Sequence, residues 1–205
     1  MEKFEIVRSN AVPWLMPNVD TDIITPMKRI LKNYDRLQDF AFEPYRFVDG
    51  DGDKGELNPD FPLNKPEYAG AKIMITGENF GSGSSRETAP EAIAKLGIRC
   101  LIGTSFGGIF FKNCFQQGIL PIVFPEEVVG ELAALDPSEE VVVDLHDQTV
   151  SFRGKTLPFD VEPIRRESLL AGLDDVGMTL TRVKEIEAFE IKDKELRPWI
   201  YDRQF

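Results

Sequence analysis

A glycine- and serine-rich segment at residues 77–87 contains the side chains of this sequence that are best suited to chemistry. It reads Gly-Glu-Asn-Phe-Gly-Ser-Gly-Ser-Ser-Arg-Glu. Glycines let the backbone approach a ligand closely, and the planar guanidinium of Arg86 suits a carboxylate. The segment is therefore predicted to bind an anion, with a candidate nucleophile or base at Ser84 or Ser85.

The segments on either side place these residues at the start of a helix. Residues 71–76 are predicted to form a β-strand, and apolar residues at helical spacing predict a helix over 85–96. Unpaired backbone N–H groups and the positive end of the helix dipole would then face a bound anion. The alternative is that Ser84 and Ser85 only cap the helix, with Glu87 completing the capping interaction.

The middle of the chain repeats this strand-then-helix pattern. Strands are predicted over 98–102 and 119–124, with a helix over 109–117 between them. The result is a βαβαβ unit with a parallel sheet, in which Pro121 indicates an edge strand. Ligands favour the carboxyl ends of such strands, where the loop 103–108 would face the same crevice as residues 77–87.

The flanking segments are predicted to be short and varied. The N-terminal part is strand-like at 4–7 and 23–24, and a helix over 27–42 follows. Helices are also predicted over 126–135, 163–172 and 179–191, and strands 141–145 and 149–152 form a hairpin that turns at His146. We expect one domain over 1–205, with a helical and aromatic C-terminal extension from about residue 179.

Composition and charge exclude several classes of function. The 205 residues carry a net charge of −11, which opposes binding to nucleic acid or to an anionic membrane. The chain has two cysteines, Cys100 and Cys114, and no apolar N-terminal segment. This pattern predicts a cytoplasmic protein without a disulfide framework, a signal peptide or a membrane-spanning helix.

Familiar catalytic motifs are incomplete in this chain. No lysine follows Gly83 as a P-loop requires, and a dinucleotide-binding loop would need glycine in place of Arg86. The only histidine is His146, which is predicted to lie in a hairpin turn and is poorly placed as the base of a serine hydrolase. Cysteine and histidine are too few for an iron–sulfur or zinc site, so no metal is expected on this chain.

A second polar constellation, Asn-Val-Asp-Thr-Asp, stands at residues 18–22. Asp20 and Asp22 have the chemistry of metal ligands or acid–base groups, but turns and helix caps account for such clusters more often. The alternation of polar and apolar residues would let this segment lie beside residues 77–87, which we call the serine loop, and support that loop through hydrogen bonds.

Three segments together resemble the aconitase family: residues 77–87, residues 18–22, and residues 103–122 with Gly-Thr-Ser-Phe and Gln-Gly-Ile-Leu-Pro-Ile. Within this family, the length and isolation of the domain resemble the separate small subunits of isopropylmalate isomerases, which correspond to the swivelling domain of aconitase. The resemblance implies an α/β, three-layer swivelling-domain-like fold with a parallel βαβαβ core and additional β-strands.

The resemblance also implies roles for particular residues. Ser84 would be the base that removes a carbon-bound proton, Ser85 would support the reaction by hydrogen bonding, and Arg86 would grip a substrate carboxylate beside Gly83. The residues that would support the loops are Asn18, Asp20, Thr21, Asp22 and Asn79. The family further implies a large-subunit partner that carries a [4Fe-4S] cluster, with no cofactor bound by this chain.

The implied reaction is the isomerisation of 2-isopropylmalate to 3-isopropylmalate by dehydration and rehydration in leucine biosynthesis. After residue 26, Lys28 and Arg29 would reach a carboxylate, and Ile30 and Leu31 would contact the isopropyl group, unless this stretch only begins an amphipathic helix. Thr88 stands where the family usually has histidine. A related homoaconitase, a methylmalate or citraconate hydratase, and a non-catalytic carboxylate-binding module therefore remain as alternatives.

Overall fold

The strands lie in two four-stranded sheets in the computed structural model, which describes residues 1–83 and 85–201. The strands are β1 (Ile6–Ser9), β2 (Ala11–Trp14), β3 (Ile73–Thr76), β4 (Cys100–Gly103), β5 (Leu120–Val123), β6 (Val141–Asp144), β7 (Thr149–Phe152) and β8 (Lys155–Pro158).

The helices lie between and after these strands. They are α1 (Thr21–Ile24), α2 (Met27–Lys32), α3 (Glu43–Arg46), α4 (Thr88–Lys95), α5 (Gly108–Gln116), α6 (Glu126–Ala133), α7 (Pro163–Ala171), α8 (Asp175–Leu180) and α9 (Val183–Leu196). Short 3₁₀ turns cover Tyr34–Phe40, Val48–Gly50, Pro62–Asn64, Pro66–Tyr68 and Pro198–Ile200. Among the described residues, none of these helices has the length and apolar character needed to cross a membrane.

The parallel sheet has the order β2-β3-β4-β5 and confirms the predicted βαβαβ unit. Every residue of β3 and β4 is buried, as expected for strands covered on both faces. Pro121 lies in β5 at the edge of the sheet, where a residue without an N–H is tolerated. The serine loop leaves the carboxyl end of β3, next to the loop that leaves β4.

The second sheet is antiparallel, with the order β1-β6-β7-β8. The hairpin of β6 and β7 turns at residues 145–148, which confirms the prediction around His146. Strand β8 was not predicted from the sequence, because its residues are largely exposed and lack the alternation of apolar and polar residues that is typical of a half-buried strand. Only Asn10 separates β1 from β2, so adjacent segments enter different sheets.

Two hydrophobic clusters flank the parallel sheet. Ile73 and Ile75 belong to a cluster shared with the antiparallel sheet, whereas Met74 and Leu101 belong to a cluster with α4 and α5. Successive side chains of a strand point to opposite faces, so the two clusters lie on opposite sides of the sheet. This arrangement confirms the three-layer expectation, while the assignment of residues 1–205 to a single domain stays a prediction.

Two predictions for the N-terminal region were wrong. Residues 23–24 are not strand but the end of α1, because the Asp20 side chain accepts a hydrogen bond from the Ile23 N–H at 2.8 Å and starts a helical turn. The helix predicted over 27–42 stops at Lys32. Asn33 has φ −137° and ψ 36°, so the chain continues as a 3₁₀ segment rather than an α-helix.

Two helix boundaries also differ from the prediction. The helix after the serine loop begins at Thr88, three residues later than predicted, and the Glu87 side chain makes no capping hydrogen bond within the described part of the chain. Capping by Ser85 is therefore wrong, since the N-cap position of this helix is Glu87 and Ser85 lies two residues before it. Near the C-terminus the predicted helix 179–191 is two helices, α8 and α9, and the Asp174 side chain caps α8 through the Gly177 N–H at 2.7 Å.

Candidate active site

The serine loop follows a constrained path between β3 and α4. Asn79, Gly81 and Gly83 have φ values of 54°, 72° and 92°. A Cβ atom added at Gly81 would lie 2.1 Å from the Phe110 ring, so only glycine lets the loop pass α5 so closely. Gly83 and Ser85 are exposed, and Ser84, the predicted base, lies outside the described residues.

The Asn18–Asp22 segment lies directly beside this loop. The Asn79 side-chain amide donates to the Asn18 side-chain oxygen at 2.8 Å, and Asp20 forms a parallel β-bridge with Ser82. Backbone hydrogen bonds run from the amides of Asn18, Gly81 and Thr21 to the carbonyls of Glu78, Val19 and Ser82, at 2.8, 2.7 and 2.9 Å. The residues predicted as loop support are thus in contact with the serine loop, and their functional role stays a prediction.

The loop after β4 braces the serine loop from the other side. The Asn79 amide donates to Ser105 Oγ at 2.8 Å, and the Gly107 amide donates to the Phe80 carbonyl at 2.9 Å. A Cβ atom at Gly107 would stand 2.4 Å from the Gly81 carbonyl oxygen, so this close approach requires glycine. Both glycine-rich loops therefore meet at the carboxyl ends of the parallel strands.

A cavity of about 680 Å³ opens where these loops meet, and it is lined by Gly77, Glu78, Thr104, Ser105 and residues at the start of α6. Its position agrees with the rule that ligands favour the carboxyl edge of a parallel sheet. Among the described residues, however, neither Ser85 nor Arg86 lines it. The predicted catalytic side chains that the structure describes are therefore not part of the wall of this cavity.

Arg86 forms a bidentate ion pair with Asp22. Its Nη1 and Nη2 atoms lie 2.6 and 3.0 Å from the two carboxylate oxygens, and Nη1 also donates to the Thr25 carbonyl at 3.4 Å. The Arg86 side chain is 16% exposed and the Asp22 side chain 59%. The hydrogen bond from Arg86 holds the pKa of Asp22 below its ordinary value, despite an opposing effect of burial. The pair keeps the guanidinium in one orientation.

Unpaired polar atoms occur around this ion pair. Arg86 Nε, Thr25 Oγ1 and Thr88 Oγ1 are buried and make no hydrogen bond with any described residue. Thr25 is fully buried, and leaving such a group unpaired costs about 1–3 kcal/mol. Unsatisfied polar groups are uncommon in folded proteins and often mark places where water or a ligand binds. Thr25 was not predicted as part of the site.

The predicted substrate-binding stretch has a different arrangement from the one expected. Arg29 is buried and pairs with Glu43 and Asp53, while Lys28 lies 3.1 Å from the Glu43 carboxylate. Ile30 is partly buried against the core, and Leu31 is 78% exposed. Contact of these four side chains with a substrate stays a prediction.

Glu43 and Asp53 were missed as partners of Arg29. They lie 14 and 24 residues away along the chain, which is not a helical or strand spacing that would predict contact. Only the fold around α2 and α3 brings them together.

The cysteines and the histidine do not extend the site. Cys100 in β4 and Cys114 in α5 are buried, and burial raises the pKa of both thiols above the ordinary value. His146 is exposed in the turn between β6 and β7. Among the described residues, no group of three or more histidine, cysteine, aspartate or glutamate side chains has an arrangement suited to a metal ion.

The serine loop, the Asn18–Asp22 segment and the parallel core can be compared with those of known proteins. This comparison identifies the protein family. Residues 1–127 match the aconitase C-terminal domain, and the chain belongs to this family. The similarity confirms the resemblance inferred from the three sequence segments.

Relatives within the family are more specific. The chain is 47% identical to the 3-isopropylmalate dehydratase small subunit of Dinoroseobacter shibae, over 98% of this chain and 100% of that protein. It is also 47% identical to the protein of the same name from Rhodospirillum centenum, over 97% and 98% of the two chains. A crystal structure of 3-isopropylmalate dehydratase from Methanocaldococcus jannaschii superposes with a TM-score of 0.64 at 27% identity, covering 90% of this chain and 99% of that one.

Proposed function

We propose that this chain is the small subunit of a hydro-lyase that isomerises 2-isopropylmalate to 3-isopropylmalate in leucine biosynthesis. The observation that carries the proposal is the similarity over almost the whole chain to proteins named 3-isopropylmalate dehydratase small subunit. The orientation of Arg86 supports it, because a dicarboxylate substrate needs a planar cation that is held in place.

The reaction removes water from one carbon pair and adds it back in the opposite sense. In this proposal Ser84 takes the carbon-bound proton as the hydroxyl leaves the neighbouring carbon, and Ser85 and Arg86 hold the substrate. The proton and hydroxyl then return with their positions exchanged. A serine hydroxyl is a weak base, so nearby backbone N–H groups and the Arg86 cation would be needed to favour its ionised form.

Arg86 has donor capacity beyond its contact with Asp22. Both terminal nitrogens face the Asp22 carboxylate, but Nε is left without a partner among the described residues. A bound carboxylate that reached Nε, or that shared the terminal nitrogens with Asp22, would remove the cost of the unpaired donor. This geometry supports the assignment of Arg86 as the carboxylate-binding residue.

We further propose that the partner is a large subunit that carries a [4Fe-4S] cluster. The two cysteines of this chain are too few for such a cluster, and both are buried in the core, so its residues do not fit one. We therefore assign to this chain only substrate binding and proton transfer. The biosynthetic role supports a cytoplasmic location as part of the same proposal.

Reconstitution with a 3-isopropylmalate dehydratase large subunit tests the proposal. The mixture should convert 2-isopropylmalate, and the unsaturated intermediate can be followed by its absorbance, whereas this chain alone should be inactive. Ser84→Ala should lower turnover about 100-fold or more while substrate affinity changes little. Ser138→Ala, in a surface turn, is the matched control. Normal turnover by the Ser84→Ala complex would contradict the assignment of the base, and an inactive wild-type complex would contradict the function.

The same assay separates the related substrates. Methyl-substituted malates differ from isopropylmalate in the size of the apolar side chain, and one methylene group changes selectivity by only about 10- to 200-fold. Homoaconitate differs more, because it carries a third carboxylate and a carbon–carbon double bond. The names of the relatives favour isopropylmalate over these alternatives and over a non-catalytic carboxylate-binding module. A higher kcat/KM for homoaconitate or for 2-methylmalate would reassign the substrate without changing the reaction class.

A further inference from the structure

A buried ion-pair network joins α2 to α3 beside the candidate active site. Arg29 and Glu43 are 3% and 1% exposed, and Arg29 Nε and Nη2 lie 3.0 and 2.5 Å from the two Glu43 oxygens. The remaining terminal nitrogen donates to Asp53 at 2.6 Å and to Asn33 at 3.3 Å. The network therefore connects α2 to two other segments of the chain.

The surroundings of this pair are shaped to accept it. The Arg29 guanidinium lies 3.9 Å from the centre of the Phe40 ring, and the Gly52 amide donates to Glu43 at 2.9 Å. A Cβ atom at Gly52 would stand 2.8 Å from the Phe40 ring and 3.0 Å from Glu43, so glycine permits this approach. Replacing a buried ion pair with apolar residues is often neutral or stabilising, so stability alone does not account for such a pair.

A chain of contacts leads from α2 to Arg86. Asp22 lies in α1, which leads through Thr25 directly into α2 at Met27, and its carboxylate pairs with Arg86 through both oxygens. The Thr25 carbonyl, two residues before Met27, accepts from the same guanidinium. A shift of α2 would therefore move the groups that orient Arg86.

We infer that Arg29 and Glu43 are positioning residues that fix α2 and, through Asp22 and Thr25 just before it, orient Arg86 for the substrate carboxylate. The inference rests on the proposed function for the role of Arg86. It replaces the expectation that Arg29 itself reaches the substrate with an indirect role through the protein.

The test uses the complex reconstituted with the large subunit. The double variant Arg29→Met/Glu43→Leu removes both charges and leaves neither of these two partners buried and unpaired. It should lower kcat/KM for 2-isopropylmalate about tenfold or more, since small displacements of a binding group have effects of this size. The matched control is Arg153→Met/Glu139→Leu, which removes a bidentate but partly exposed pair in another part of the fold.

A second background distinguishes positioning from general destabilisation. If the pair acts through Asp22, the same double substitution in an Asp22→Asn chain should cause little additional loss, because coupled residues are not additive. Equal losses with and without Asp22→Asn, or unchanged kcat/KM, would overturn the inference. If the double variant does not fold, Asp53→Asn can be used instead, because Asp53 is 72% exposed and its substitution should be tolerated. We expect kcat/KM to fall about threefold, and this loss should also be smaller in the Asp22→Asn chain.

A second measurement, which does not depend on activity, tests the inference even if the proposed function is wrong. If the wild-type complex does not convert 2-isopropylmalate, a crystal structure of a folded variant, the double variant or Asp53→Asn, decides the matter. Loss of the bidentate Arg86–Asp22 geometry is the expected result for either one, and an unchanged pair would overturn the inference.

Discussion

At the scale of single residues, Arg86 links the candidate chemistry to the structure. Its fork contacts Asp22 through both terminal nitrogens, and its Nε atom makes no hydrogen bond with a described residue. Two carboxylates can share one guanidinium only if the geometry of the donors is kept, which a lysine ammonium does not do. A lysine at this position would keep the positive charge but lose the planar arrangement of donors, so it should not replace Arg86 in activity.

Arg86→Lys is expected to lower kcat/KM of the reconstituted complex about 100-fold, because lysine cannot form the bidentate contact. The measurement is steady-state kinetics with 2-isopropylmalate. Arg36→Lys is the control, since Arg36 forms an exposed pair with Asp39. Near-normal kinetics for Arg86→Lys would show that charge alone is sufficient at this site.

The Arg86–Asp22 pair should also affect stability in a pH-dependent way. Arg86 holds the pKa of Asp22 below its ordinary value, so the pair's contribution is present above the unfolded-state pKa and is lost as pH falls through the folded-state pKa. Asp22→Asn should therefore lower Tm at pH 7 but have a smaller effect between about pH 4 and pH 3. Asp35→Asn, at an exposed position, is the control. A Tm difference that is independent of pH would contradict this account.

Among the charged residues of this network, substitution of the buried Glu43 should reduce the stability of the protein most. Burial alone would raise the pKa of this carboxyl, but hydrogen bonds from Arg29, Gly52 and Lys28 outweigh burial and hold the pKa below its ordinary value. Glu43→Gln is expected to destabilise the protein by about 3 kcal/mol in urea unfolding, because Arg29 loses its main buried partner. Asp53→Asn should cost about 1 kcal/mol or less, since Asp53 is largely exposed. Equal costs would mean that Asp53 compensates Arg29 as well as Glu43 does.

At the scale of elements, the glycines of the serine loop explain how two loops and a helix approach so closely. Gly81 and Gly55 both have φ 72°, but only Gly81 has neighbours at the position of a Cβ atom. Alanine substitutions at the two positions can therefore be compared: both strain a left-handed backbone, but only the one at Gly81 also creates a steric clash.

Gly81→Ala should cost at least about 2 kcal/mol more than Gly55→Ala, because the added methyl group would overlap the Phe110 ring. Gly55→Ala provides the cost of the left-handed backbone alone, about 1 kcal/mol. Both free energies can be measured by urea unfolding. A similar cost for the two variants would show that the loop moves away from α5 with little penalty.

The regular elements of the parallel core were predicted well from the sequence. Residues 71–124 have continuous apolar strands and amphipathic helices ended by glycine, and the structure agrees within a few residues. The region 20–42 was predicted poorly, because its short helical turns depend on the Asp20 cap and on contacts with distant segments. Periodicity does not report such contacts.

At the scale of the whole molecule, the C-terminal helices lie outside both hydrophobic clusters. No described residue beyond Leu170 belongs to either cluster. A groove of about 850 Å³ separates α9 from α5 and α7, and its wall includes Phe115, Ile186 and the 60%-exposed Phe189. Trp199 is also largely exposed, whereas the Tyr201 hydroxyl bonds to Asp193 at 2.9 Å. Phe205, the last of the predicted tail aromatics, lies outside the described residues.

Removal of residues 182–205 should leave the rest of the fold intact. Because both clusters are retained, the shortened chain is expected to unfold cooperatively, with Tm lowered by less than about 5 °C. Circular dichroism during heating provides the measurement, and a chain shortened after Glu162 is the control, since it also loses the buried Leu169. A non-cooperative transition in the 1–181 chain would show that α9 contributes to the core.

The sequence alone determined the family, the reaction class and the parallel core, because these depend on local patterns: an eleven-residue polar loop, apolar periodicity and glycine positions. The tertiary structure decided the partners of the charged groups. Asp22 meets Arg86 across 64 residues, and Arg29 meets Glu43 and Asp53 rather than standing free in solvent. Long-range ion pairs form only where the packed chain brings side chains together and excludes water, and residue spacing carries no record of that geometry.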